Sequence, residues 1–309
     1  MDAASTLPPV PMDVVNTLIG DESGPAIAAR IEREQERAVK VFAQGFDGLT
    51  VVLAGPANVA MQLAWPEVCY GVMESPVDSG SVTKHPFKRY RTTIGYVAIA
   101  LFGSQELRLA YRDAVNGSHR HIRSGPDSPV KYNAFNRDLQ LWVASCIFYG
   151  ARDAIIRCHG PLTTEQENVA LLAGSRLATT LQVPFGMWHN DINAFWEYWE
   201  AGLQRSVIDD RMAAYLRGLV EFDFLAGPLR TAIRPATRML TWTNVGFLAP
   251  PIREQLGYQW TERDERRFSA LMRAIGLAQT PLPRFVRTLP VEAMRWNIQL
   301  RHRLGKPLV

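Results

Sequence analysis

The stretch Leu139 to Arg157 constrains the fold more than any other part of the chain. Wound as a helix it is apolar almost all round, with Leu139, Trp142, Ile147, Phe148 and Ile155 spread over every side. A helix of that kind has no solvent face and needs neighbours in all directions, so it belongs at the centre of a helical assembly. Helical signals run through the rest of the sequence. Glu22 to Phe42 reads as a charged amphipathic helix, and Arg89 to Phe102 and Leu107 to Ile122 as two more. Thr164 with Glu167 spells a capping box that opens a helix ending near Leu181. Asp191 to Leu203, Asp209 to Phe222, and Thr261 (with Asp264 three residues on) to Ile275 follow, and Pro290 opens a last helix. Asn58 to Ala64 reads as a buried segment that Pro66 interrupts, and "GLTVVLAG" reads as a short strand or a helix entry. These patterns predict an all-α protein: one large helical bundle domain over residues 21–309, after a loose N-terminal leader over residues 1–20.

Bulk properties exclude several classes. Of 309 residues, 47% are hydrophobic and 21% charged, which suits a globular protein with a sizeable core. The net charge of +4 is mild, and its excess lies in the last quarter, at Arg284, Arg287, Arg295, Arg301, His302, Arg303 and Lys306. That cluster reads as a solvated basic tail or as weak peripheral contact with an anionic membrane or partner. No nucleic-acid reading motif accompanies it, so nucleic acid is not an expected partner. Cys69, Cys146 and Cys158 form no paired framework and no zinc spacing, which fits a reducing cytoplasm. No apolar run reaches the length of a membrane-spanning helix.

Function turns on two stripes. Leu107, Ala110, Tyr111, Ala114, Val115, Ser118, His119 and Ile122 recur at helical spacing, so His119 points inward. His121 sits about 200° away on the polar face. An inward histidine is either a hydrogen-bonded core residue or a ligand. Arg89, Thr92, Thr93 and Tyr96 make a second, polar stripe. Such a stripe either faces a polar ligand, or Arg89 pairs at a helix end and the threonines bond back to their own carbonyls. Glu-x-x-His and His-Glu-x-x-His are absent, as are Gly-x-Ser-x-Gly and the phosphate-binding loop. One imidazole without protein co-ligands does not hold a free metal ion tightly, whereas it can hold haem, whose porphyrin supplies four ligands.

Four segments, "LAGPANVAMQLAWPEVCYGVME", "HPFKRYRTTIGYVAIALFGS", "AVNGSHRHIRSG" and "YNAFNRDLQLWVAS", occur in that order, and "LAPPIREQLGYQW" and "PLPRFVRTLP" lie towards the C-terminus. In order and spacing they resemble the catalytic domain of the rubber oxygenase (latex-clearing protein) family, which includes mpaB-type oxygenases. The resemblance covers roughly residues 45–305. It implies an all-α fold with a globin-like core around one haem b. His119 matches the proximal iron ligand, and Arg89 and Thr93 match the distal Arg-x-x-Lys-Thr segment. Thr92 stands where that segment has lysine, Trp65 replaces a histidine, and Ser75-Pro76 replaces a His-Ser pair. Glu74 lies near the place of a catalytic glutamate.

On this reading Arg89, Thr92 and Thr93 are the catalytic residues, and His119, Arg89, Tyr96 and Trp142 hold the cofactor. Val97, Ile99, Leu141, Trp142 and Phe148 would wall the pocket. His119 would be oriented by donating its second ring N–H to a carbonyl or carboxylate. The expected function is a haem-dependent oxygenase that takes O₂, an apolar or isoprenoid-like small molecule and electrons from an unidentified donor. A peroxide-using haem oxidoreductase and a non-enzymatic haem carrier or sensor are the alternatives.

Overall fold

The computed structural model describes residues 25–77, 85–224 and 234–309, and every regular element among them is helical. In chain order these are α1 (Pro25–Phe42), α2 (Gly48–Gln62), α3 (Pro66–Met73), α4 (Pro86–Phe102), α5 (Gln105–His119), α6 (Arg137–His159) and α7 (Thr164–Thr179). A single 3-10 turn (Phe185–Met187) leads to α8 (Ile192–Arg205), α9 (Asp210–Val220), α10 (Arg234–Phe247), α11 (Pro250–Gln255), α12 (Glu262–Gln279), α13 (Arg284–Arg287) and α14 (Leu289–Arg303). The all-α expectation holds. "GLTVVLAG" is helical, inside α2, and that helix continues through Pro56. The leader expected over residues 1–20 lies outside the described residues, as do residues 22–24 of the first predicted helix.

The apolar run is the central helix α6. Helices α2, α7, α8 and α12 all pack on it, which is why Trp142, Cys146 and Phe148 are at most 1% exposed. Trp142 is sandwiched between Trp65 (centroids 4.6 Å apart, planes 6°) and Trp199 (5.2 Å, 18°), and Tyr149 extends the column against Trp199 at 4.1 Å. The guanidinium of Arg205 closes its other end, 3.8 Å over Trp65. Helix α1 lies along α7. Glu32 of α1 accepts from Arg108 of α5 and Arg176 of α7, both at 2.6 Å, so one carboxylate ties three helices together.

Two helices position the site. Helix α4 lies against both α7 and α14, and Gly95 is where α14 comes closest: a Cβ there would meet Ile298 Cδ1 at 2.5 Å. Helix α5 starts at Ser104, whose hydroxyl accepts from Leu107 N, and ends at His119 rather than continuing to Ile122. The chain must turn there because Arg123 pairs with Asn133, and Ala134 N donates to Ile122 O at 3.0 Å. The capping box of α7 also sits one residue earlier than its expected place. Thr163, in extended conformation, accepts from Gln166 N, and the Gln166 side chain accepts from Thr163 N. The Thr261–Asp264 box of α12 and the proline-opened start of α14 are as expected.

Candidate functional site

The polar stripe of α4 and the end of α5 open onto one cavity of about 280 Å³. Arg89, Thr92, Thr93, Tyr96 and His119 all line it. The α6 side of the wall is mostly apolar, with Leu139, Val143 and Ile147 at successive turns and Gln140 beside them. The α5–α6 loop contributes Tyr132, Asn133 and Ala134, and α2 and α3 contribute Gln62, Leu63 and Val72.

His119 is held at the α5 terminus by backbone and by an amide network. Its carbonyl accepts from Ile122 N at 3.0 Å. One turn earlier, Asn116 Oδ1 accepts from Gln182 Nε2 at 2.5 Å, and Gln182 Oε1 accepts from Gln140 Nε2 of α6 at 2.6 Å. Phe135 packs edge-on to the imidazole, centroids 6.3 Å apart. Burial, and then the positive charge of Arg89, bring the imidazole pKa down to about 4, so the ring is neutral at pH 7. The carbonyl or carboxylate expected behind the ring is absent among the described residues: Nδ1 is buried with no hydrogen-bond partner. An unpaired buried polar nitrogen costs about 1–3 kcal/mol, a cost offset only by a group that bonds Nδ1 itself.

Thr92 and Thr93, adjacent in sequence, are in different states. Thr92 Oγ1 donates to Arg89 O at 3.0 Å, the back-bond that the bland reading of the stripe anticipated. The Thr93 hydroxyl has no partner among the described residues and lines the cavity. Tyr96 spends its hydroxyl on Leu177 O, and Tyr111 donates to Thr92 O at 2.8 Å. The Arg89 guanidinium makes no ion pair or hydrogen bond with a described residue, and burial pulls it below the usual arginine range. It nonetheless stays cationic at neutral pH. Lys88, beside it in sequence, also lines the cavity without a described partner.

Trp142 does not reach the cavity. Its ring is enclosed in the aromatic column, and its Nε1 donates to Gln62 O at 3.1 Å, so its link to the site runs through the backbone of a lining residue. Trp65 sits in the same column. Val97 and Phe148 instead front a smaller apolar void of about 50 Å³ that shares Gln62, Thr93 and Ile147 with the main cavity. Ile99 packs with Tyr111 and Ile298, and Leu141 with the main core. Ser75 lines the cavity, while Glu74 accepts from Tyr132 Oη at 3.0 Å and lies 3.6 Å from Arg211. His121 is exposed. Sequence reasoning missed Lys88, Tyr111, Tyr132, Val143 and Ile147 as lining residues. The i, i+4, i+8 row of Leu139, Val143 and Ile147 was the available signal.

The only imidazole among the described lining residues is that of His119, and one carboxylate, Glu67, shares the cavity: its Oε1 accepts from Arg205 at 2.6 Å and its Oε2 is buried without a partner among the described residues. Among the described residues no three His, Cys, Asp or Glu side chains converge as metal ligands. Such a site fits a group that brings most of its own metal ligands and bears carboxylates, with one neutral nitrogen for its metal and, for its acids, cations that pair with no described residue.

The profile of the family described as ER-bound oxygenase mpaB/B'/Rubber oxygenase, catalytic domain, matches residues 43–277. Two uncharacterized mycobacterial proteins, Rv2237 of Mycobacterium tuberculosis and Mb2261 of Mycobacterium bovis, are each 42% identical over 258 residues, covering 84% of this chain and 100% of theirs. No solved structure matches, so the globin-like arrangement of the core remains an implication of the family resemblance alone.

Proposed function

The chain belongs to the mpaB and rubber oxygenase catalytic-domain family, an oxygenase family, and on that premise we propose that His119 binds haem b for the oxidation of an apolar, isoprenoid-like small molecule by O₂. One observation carries the reading: a neutral inward imidazole with a buried nitrogen that has no partner shares a cavity with a guanidinium that pairs with no described residue. When bound, haem supplies an iron that takes up O₂ and makes it reactive toward organic carbon.

The remaining roles belong to side chains of this chain. His119 donates a nitrogen lone pair, which its low pKa keeps available at neutral pH. Arg89 and Lys88 supply positive charge for the porphyrin carboxylates. Thr93, whose hydroxyl has no partner among the described residues, would donate a hydrogen bond to a polar oxygen atom held in the cavity. Thr92 supports the helix instead. Leu139, Val143 and Ile147 hold hydrocarbon and keep water from it. A reducing cytoplasm suits the three free, buried thiols.

The test is O₂ uptake by the reduced, haem-loaded protein with a panel of isoprenoid substrates. The reading expects substrate-dependent uptake and an oxidised product. Haem binding without uptake would identify a carrier or sensor, and turnover driven only by hydrogen peroxide a peroxide-using enzyme.

A further inference from the structure

Helix α14 has two apolar faces. Val291 and Ile298 point into the protein and are at most 1% exposed. On the other side Leu289, Trp296, Leu300 and Leu304 follow at intervals of seven, four and four residues, which is one stripe along a helix. They are exposed by 46%, 50%, 55% and 57%. The segment leading into the helix adds Leu282 and Phe285, the latter 69% exposed.

The charge around this stripe is mostly positive. From Thr280 to Val309 the chain has six Lys and Arg residues and one acidic side chain, Glu292, and the exposed Glu106 of α5 approaches His302 of α14 at 3.4 Å. Arg295 holds Glu292 at 2.7 Å, Arg287 pairs with Asp47 at 3.2 Å, and Arg301 donates to Pro307 O at 2.6 Å. Arg284, Arg303 and Lys306 are exposed and have no partner among the described residues.

We propose that this face docks the protein onto an anionic lipid bilayer. Phe285, Trp296 and Leu300 enter the headgroup boundary, and Arg284, Arg303 and Lys306 pair with lipid phosphates. A second copy is the poorer occupant, because a two-fold contact through this face would set its unpaired cations against themselves. Among the described residues no single helix is long and apolar enough to cross a membrane. The inward face of α14 packs on α4, so docking brings the bilayer within one helix of the cavity. Delivery of an apolar substrate from lipid rests on the function proposed above, whereas the docking itself does not.

Co-sedimentation of the full chain with lipid vesicles tests this. Binding to phosphatidylcholine–phosphatidylglycerol vesicles is expected at low salt, weakening as salt rises, with little binding to phosphatidylcholine alone. The double variant W296S/L300S is expected to lower the partition coefficient about tenfold, with an unchanged circular dichroism melt. R284E/R303E/K306E, which changes only exposed charge, is expected to abolish the preference for anionic vesicles. Equal partitioning of wild type and both variants, or equal binding to neutral vesicles, would overturn the proposal. So would a dimer in sedimentation velocity that W296S/L300S splits, which would make the face a self-interface.

Discussion

Two buried imidazoles contribute to the acid behaviour of the protein at the level of single residues. Burial brings both His119 and His189 down to about 4, with the charge of Arg89 adding to the effect at His119. Their folded pKa values lie below the unfolded value, so the unfolded chain binds protons first as pH falls. The stability they allow is complete above about pH 6.5 and is lost toward pH 4. The Tm of the haem-free protein is therefore expected to drop between pH 6.5 and 5, less steeply in His119→Gln; an unchanged slope would contradict the burial of that ring. The two threonines predict a contrast. Thr92→Val removes only a back-bond to Arg89 O and is expected to change stability by about 0.5 kcal/mol or less. Thr93→Val removes the unspent donor, and O₂ dissociation from the reduced, loaded protein is expected to quicken about tenfold, the worth of one hydrogen bond. The helical period alone turned Arg89, Thr92, Thr93, Tyr96 and His119 toward a common interior. It carried no information on which hydroxyls the backbone had already claimed.

Among the elements, α6 was legible because a helix apolar on all sides has only one place to go. Trp142 shows the limit of that logic. The pattern turned it inward, but its stacking on Trp65 and Trp199 is a long-range choice that no local spacing encodes. The end of α5 escaped for a similar reason, since the Arg123–Asn133 pairing that turns the chain is tertiary. Helix α10, "RPATRMLTWTNVGF", was missed because three threonines and a proline dilute its pattern and neighbours bury its C-terminal half all round. Helix spacing yields a paired prediction. A Cβ on Gly276 of α12 would come 2.3 Å from the Cys158 carbonyl oxygen on α6, backbone against side chain, so Gly276→Ala is expected to destabilise by about 1–3 kcal/mol. Gly117 of α5 faces open space, and Gly117→Ala is expected to stabilise by about 0.5–1 kcal/mol. Urea unfolding of the two variants measures both.

For the molecule as a whole, the Glu32 bridge holds α1 to the site-bearing half. Arg108 and Arg176 are 9% and 5% exposed in their side chains, and both rely on that carboxylate. Glu32→Ala is expected to cost about 3–5 kcal/mol in denaturant unfolding, because it strands two buried cations. The same architecture sets one cavity against α4, α5 and α6, and the account rests on what that cavity holds. The most direct measurement is the visible absorption spectrum of the purified protein after haem titration, beside that of His119→Ala. The account predicts a saturable, one-to-one Soret band in the wild type and its loss in the variant. A wild type that takes up no haem, or a His119→Ala protein with an undiminished Soret band, would contradict it.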